Sequence, residues 1–250
     1  MKPIPRIIFT TDVNGTTTPD NTFAELVRPD NMHEQMSQLM ESYTTGLCKF
    51  SDVLPEMEKL ARYVDRLRLE SYAKQMPLFH GVEETLRQLT DTRFFEAKVT
   101  LSTTGFAGLM VLLNKFRHGL RLRVAASPVF LNFLSGQERK CLMGAITEEN
   151  DKTRVMDELI STHVPEPGMI FHVGDTMGDF PALVHTAKKG GTGIAFCPNE
   201  SLKTRIHAID PAIKKRIAIV NPIPGKGPDY FEVFRIVQNK IRKSNPLLHP

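Results

Sequence analysis

Residues 8–19 read IFTTDVNGTTTP, and the meaning of that stretch decides the fold. The apolar run Ile7–Ile8–Phe9 predicts a buried strand, and it stops at Asp12. A turn follows through Asn14–Gly15, trailed by three threonines. A strand ending in Asp before Gly is, by itself, an ordinary turn. A carboxylate at the tip of a buried strand acquires chemical meaning only if polar residues from distant parts of the chain converge on it.

Outward from this strand, short apolar runs alternate with helical patterns, the signature of a parallel α/β sheet. Strands are predicted at 6–10, 98–101, 122–126, 169–173 and 193–196, with a sixth candidate at 217–220. Apolar spacing near 3.6 predicts helices at 105–115, 152–163 and 180–188, and a closing helix at 230–243 after the Pro/Gly-rich NPIPGKGPD. One stretch breaks the alternation. From Asn21 to about Met76 there is only helical patterning, as in MHEQMSQLMESY and VLPEMEKLARYVDRLRLESYAKQM, until Pro77 ends it. This predicts a helical insertion between the first strand and the rest of the sheet, with Met32, Met36 and Met40 as a core-packing stripe.

The 250 residues, 41% hydrophobic and 24% charged, suffice for a large core. The net charge of +4 is spread along the chain, with small knots at Lys188–Lys189 and Lys214–Lys215–Arg216. That reads as solvated surface rather than a nucleic-acid footprint, although it would help attract a small anion. Three cysteines, Cys48, Cys141 and Cys197, have no CxxC pairing, which argues for reduced thiols in a cytoplasmic protein rather than disulfides or zinc. The apolar part of MKPIPRIIF is too short for a signal peptide, and no run approaches a membrane span. No pattern specifies an oligomer.

In open parallel sheets, ligands bind at the carboxyl ends of the strands. Asp12 and Asn14 stand at the first predicted exit, Ser102, Thr103 and Thr104 at the second, and Asp175 and Asp179 of GDTMGD after the fourth. Lys152 opens a helix in DKTRVMDEL. Clustered carboxylates repel one another and call for a divalent cation, for which oxygen ligands and phosphate suit Mg²⁺. An Asp can attack phosphorus, hydroxyls and loop N–H groups can hold phosphoryl oxygens, and a lysine can neutralise both. Each feature alone has a structural explanation as a turn, a helix cap or a surface lysine; their joint occurrence in this order does not. His80, His172 and His185 fall at element edges with no metal spacing and read as packed or surface residues.

DVNGT, TLSTTGF, DKTRVMDEL and VGDTMGD, in that order, resemble the four motifs of the haloacid dehalogenase (HAD) superfamily of phosphohydrolases. GAITEENDK and GGTGIAF also resemble segments of its phosphoserine-phosphatase-like branch. The resemblance implies a Rossmann-like α/β core, residues 1–19 and 81–250, with a type 1 helical cap at 20–80. It implies that Asp12 is the nucleophile and a Mg²⁺ ligand, that Asn14 offers its backbone carbonyl to the metal, and that Asp175 is a direct ligand. Asp179 would order metal-bound water or Lys152, and Lys152 would bridge Asp12 and the phosphate of a small phosphorylated metabolite. The phosphate-binding hydroxyl is Ser102 if counted from the strand end, and Thr103 if TTGF is aligned with the SGGF of that branch.

Asn14 departs from the family pattern. The family's second Asp protonates the leaving alkoxide and then activates water; an amide does neither. The resemblance therefore implies a Mg²⁺-dependent phosphatase that is slow or restricted to activated phosphates. The alternatives are a regulatory protein that keeps the metal and phosphate site, and a phosphotransferase.

Overall fold

The computed structural model describes residues 4–93 and 95–244. Seven strands form one parallel sheet in the order β4-β3-β2-β1-β5-β6-β7. They are β1 (Arg6–Thr11), β2 (Glu96–Phe106), β3 (Arg123–Ser127), β4 (Leu142–Ala145), β5 (Ile170–Gly174), β6 (Thr192–Phe196) and β7 (Ile217–Val220). After β1 come four helices, α1 (Thr22–Val27), α2 (His33–Thr44), α3 (Phe50–Leu60) and α4 (Arg66–Gln75). The rest are α5 (Val82–Leu89), α6 (Ala107–His118), α7 (Gly136–Arg139), α8 (Asp151–His163), α9 (Phe180–Lys188), α10 (Glu200–His207), α11 (Pro211–Lys214) and α12 (Phe231–Ser244). None of the described helices is long and apolar enough to cross a membrane.

The strand order reverses direction at β1, which pairs with β2 on one side and β5 on the other. The crevice beyond the carboxyl ends of β1 and β5 is therefore the topological switch point, where such sheets bind ligands. Helices cover both faces. The larger cluster packs the insert, α5, α6 and α12 against one face; α8 packs on Ile8 and Ile170 of the other, and α9 and α10 on Ala195 and Ile217. The insert shares this larger core directly: Phe23 of α1 meets Phe106 edge-on at 4.7 Å, and Met36 and Met40 are buried in it with Met32 packed alongside.

Two expectations need correction. The second strand does not stop at Leu101 with a helix from Gly105: β2 runs to Phe106 and α6 begins at Ala107. β2 pairs with β1 as far as Leu101 and with β3 at Ser102 and again at Phe106, so the buried Ser-Thr-Thr-Gly stretch stays extended across a register irregularity between those two contacts. The edge strand β4 is absent from the sequence-based expectation. It has four residues, is only partly buried, and pairs with β3 alone, so it leaves a weak hydrophobic pattern.

Candidate active site

The β1 loop is closed by its own backbone. The amides of Thr16, Thr17 and Thr18 converge on the Val13 carbonyl, and Gly15 N donates to Thr18 O at 2.9 Å. Gly15 has φ +75, and a Cβ there would stand 2.1 Å from Asp175 Oδ2; both demands select glycine. Thr16, buried, donates from its hydroxyl to Asp175 Oδ1 at 2.6 Å. Thr11 donates to the Asp12 carbonyl at 2.9 Å, and the Tyr230 hydroxyl of the segment leading into α12 supports Thr11 at 2.8 Å.

Lys152, in the first turn of α8, points its ammonium between two strand tips. It lies 2.9 Å from Asp12 Oδ1 and 2.5 Å from Asp179 Oδ1, with all three side chains almost wholly buried. Asp179 is a saturated carboxylate. Its Oδ2 accepts from the amides of Asp175 and Thr176 at 3.2 and 3.3 Å, while His172 Nε2 faces Oδ1 at 3.4 Å. His172 pairs across the sheet with Thr10, whose hydroxyl is 2.8 Å from Nδ1. Burial lowers the imidazole pKa against the opposing pull of Asp179.

These neighbours push the carboxyl groups apart. Burial raises Asp12 to about 6 against the pull of Lys152, with Asp179 adding to the rise. Asp175 is raised further, by burial and then by Asp179 and Asp12. Burial would also raise Asp179, but Lys152 and His172 outweigh it and hold that carboxyl below the ordinary range. Burial opposes charge on Lys152, yet Asp12 and Asp179 keep it an ammonium. Oxygens of Asp12, Asp175 and Asp179 lie within 4.8 Å of one another. Three carboxylates against one ammonium leave excess buried negative charge, and a cluster with neither His nor Cys suits a hard divalent cation.

The Thr103 hydroxyl sits beside Asp12, helps hold its pKa down, and accepts from Gly105 N at 3.1 Å. Ser102 is equally buried, but its Oγ has no hydrogen-bond partner. Asn14 Oδ1 accepts from Thr22 N at 3.4 Å, at the start of α1, which turns Nδ2 away into a buried position without a partner. The structure thus brings Asp12, Thr103, Lys152, Asp175 and Asp179 together. His185 and His80 instead make surface pairs with Asp157 and Asp229. Sequence reasoning missed the roles of His172 and Thr16, because the contacts they make cross about 160 positions of chain. The one available signal was that His172 and Asp175 belong to the same short strand-and-exit segment.

No known family model matches the sequence, and no curated protein matches it. Solved structures do match. A phosphoserine phosphatase described as a phospho-aspartyl intermediate analogue is 18% identical, with 93% of this chain and 99% of that one covered at a TM-score of 0.65. A substrate-bound phosphoserine phosphatase matches at 18% identity and 0.66, with 93% and 98% covered. A HAD family hydrolase from Salmonella enterica subsp. enterica serovar Typhi matches at 17% and 0.65, with 94% and 72% covered. At these identities the likeness establishes the fold: a Rossmann-like α/β architecture shared with HAD-type phosphohydrolases.

Proposed function

We propose that this protein is a HAD-like, Mg²⁺-dependent phosphatase that works through an aspartyl-phosphate on Asp12 and acts on small phosphorylated metabolites. The observation that supports this best is the buried Lys152 ammonium held between Asp12 and Asp179, with Asp175 completing the carboxylate cluster. Asp12 attacks phosphorus, forming the Asp–O–P bond while the leaving oxygen departs with its electron pair. Lys152 neutralises charge on nucleophile and phosphoryl group as it redistributes, and the Thr103 hydroxyl holds a phosphoryl oxygen. Asp12, Asp175 and the Asn14 carbonyl would hold Mg²⁺, which supplies Lewis-acid neutralisation of the phosphoryl oxygens. Asp179, saturated by protein donors, positions Lys152 rather than binding the ion directly. Residues 20–80 act as the cap, closing over the site to exclude water and select the substrate.

Asn14 sets the substrate class. An amide moves no proton, so the leaving group must be stable as an anion, as in acyl or aryl phosphates. Water then attacks the aspartyl-phosphate; its proton passes to the phosphate product, and Asp12 returns as a carboxylate. The test compares Mg²⁺-dependent hydrolysis of acetyl phosphate, an aryl phosphate and an alkyl phosphate by the native protein and Asn14→Asp. The native protein should turn over the first two. The substitution should raise the rate on the alkyl ester by about 10²–10⁴-fold. Absence of Mg²⁺-dependent turnover in both proteins would leave only a binding role.

A further inference from the structure

The insert places one polar group against the site that the proposed chemistry leaves unused. Tyr43, in the last turn of α2, is 4% exposed and packs its ring against Phe50 at 5.3 Å. Its hydroxyl lies over Gly178, in the loop that carries Asp175 and Asp179. A Cβ on Gly178 would stand 2.1 Å from Tyr43 Oη and 2.7 Å from Cζ. Gly178 does not have a positive φ, so space rather than backbone conformation requires glycine there. The loop is shaped to admit this phenol.

The other tyrosines sharpen the point. A buried tyrosine hydroxyl ordinarily finds a partner. Tyr230 reaches Thr11 at 2.8 Å and Tyr72 reaches Asp20 at 2.8 Å, while Tyr63 is exposed. Among the described residues, the Tyr43 hydroxyl has no hydrogen-bond partner, and its oxygen, unlike the ring, is not fully buried. The charges it feels are Lys152 foremost, then Asp179 and Asp12, and after them Glu149. Burial raises its pKa, so it remains a neutral donor. The segment that follows Tyr43 is also tied to the core at two points. Asn199 Nδ2 donates to Thr44 O at 3.0 Å, and Phe50 N donates to Glu149 Oε1 at 2.9 Å.

We propose that Tyr43 is a phosphoryl-binding residue supplied by the insert, donating its hydroxyl to a non-bridging phosphoryl oxygen beside Lys152. This rests on the phosphatase reading above. Lys152 spends two of its three donors on Asp12 and Asp179, leaving one for the phosphoryl group. Thr103 approaches from the sheet and Tyr43 from the insert, so the phosphate site is complete only while the insert is docked.

The experiment measures binding of BeF₃⁻ with Mg²⁺, inhibition by inorganic phosphate, and kcat/KM over a series of aryl phosphates. It is run on the native protein, Tyr43→Phe and Gly178→Ala. Tyr43→Phe should weaken BeF₃⁻ and phosphate binding by about tenfold, and lower kcat/KM by a similar factor whatever the leaving group. Its melting temperature should be nearly unchanged. Gly178→Ala, which displaces the phenol, should shift binding in the same direction and add little in the Tyr43→Phe background. Unchanged BeF₃⁻ and phosphate affinity in Tyr43→Phe would overturn the proposal while leaving the phosphatase reading intact. A loss that grows with leaving-group basicity would also overturn it, placing the hydroxyl on the leaving oxygen. Native protein that neither binds BeF₃⁻ with Mg²⁺ nor turns over would remove the phosphatase reading and this proposal together.

Discussion

The loops after β1 and β5 flank the same switch point, yet they are built in opposite ways. In the β5 loop, Asp179 has its hydrogen-bonding capacity consumed by Lys152 and two backbone amides, with His172 alongside, and its pKa is held low. In the β1 loop, Asp12 takes one ammonium contact, its pKa is pushed up to about 6, and Asn14 keeps an amide nitrogen without a partner. A saturated carboxylate is a scaffold; an under-satisfied one is reactive or ligand-seeking. The difference is the ground for proposing separate work for two aspartates that look alike in sequence.

The sharpest way to break this contrast is Asp12→Asn. If Asp12 is the proposed nucleophile, it should lower turnover by about 10⁴-fold or more in a steady-state assay while the protein stays folded. Turnover that persisted would move the reactive role elsewhere. Next in size is Asp179→Asn. The substitution leaves Lys152 with Asp12 as its remaining carboxylate partner and takes the charge from the acceptor of two loop amides, so thermal or denaturant unfolding should show a loss of about 1–3 kcal/mol. A small change would mean that the β5 loop is not the scaffold its geometry suggests.

The smallest effect is graded with pH. Asp12 and Asp175 have raised pKa values in the folded, metal-free protein, so both hold protons more tightly than in the unfolded chain. Without metal, they stabilise the fold least once pH has risen through their folded values. Metal binding must displace those protons, so Mg²⁺ affinity measured by calorimetry should fall as pH drops below about 6, with proton release. Asp179 has the opposite sign: its contribution is present above the ordinary carboxyl pKa and is lost only in strong acid. A pH-independent Mg²⁺ affinity between about 5 and 7 would erase the distinction between the two loops.

Much of this was legible before any coordinates. Five strands, the sixth candidate at 217–220, the long helices and the helical insertion all announce themselves by periodicity, because each buries a regular apolar face. The joint placement of Asp12, Lys152, Asp175 and Asp179 at strand exits or a helix start marked the site. β4 was not legible, since an edge strand half open to solvent carries little pattern. Nor was the end of β2, where renewed pairing of Phe106 with β3 and burial keep the turn-like Ser-Thr-Thr-Gly extended.

The sequence by itself therefore determined the α/β core, the interrupted first crossover and the residue types that meet at the switch point. It also determined that an amide stands two residues after Asp12. The tertiary structure alone decided how those residues contact one another. It put Thr103 beside Asp12, locked Asp179 between Lys152 and His172, tied Thr16 to Asp175, and seated Tyr43 over Gly178. The reason is physical: periodicity reports which face of an element is buried. Contacts between residues up to about 160 positions apart depend on strand order and on where the insert docks, and neither leaves a local trace in the chain.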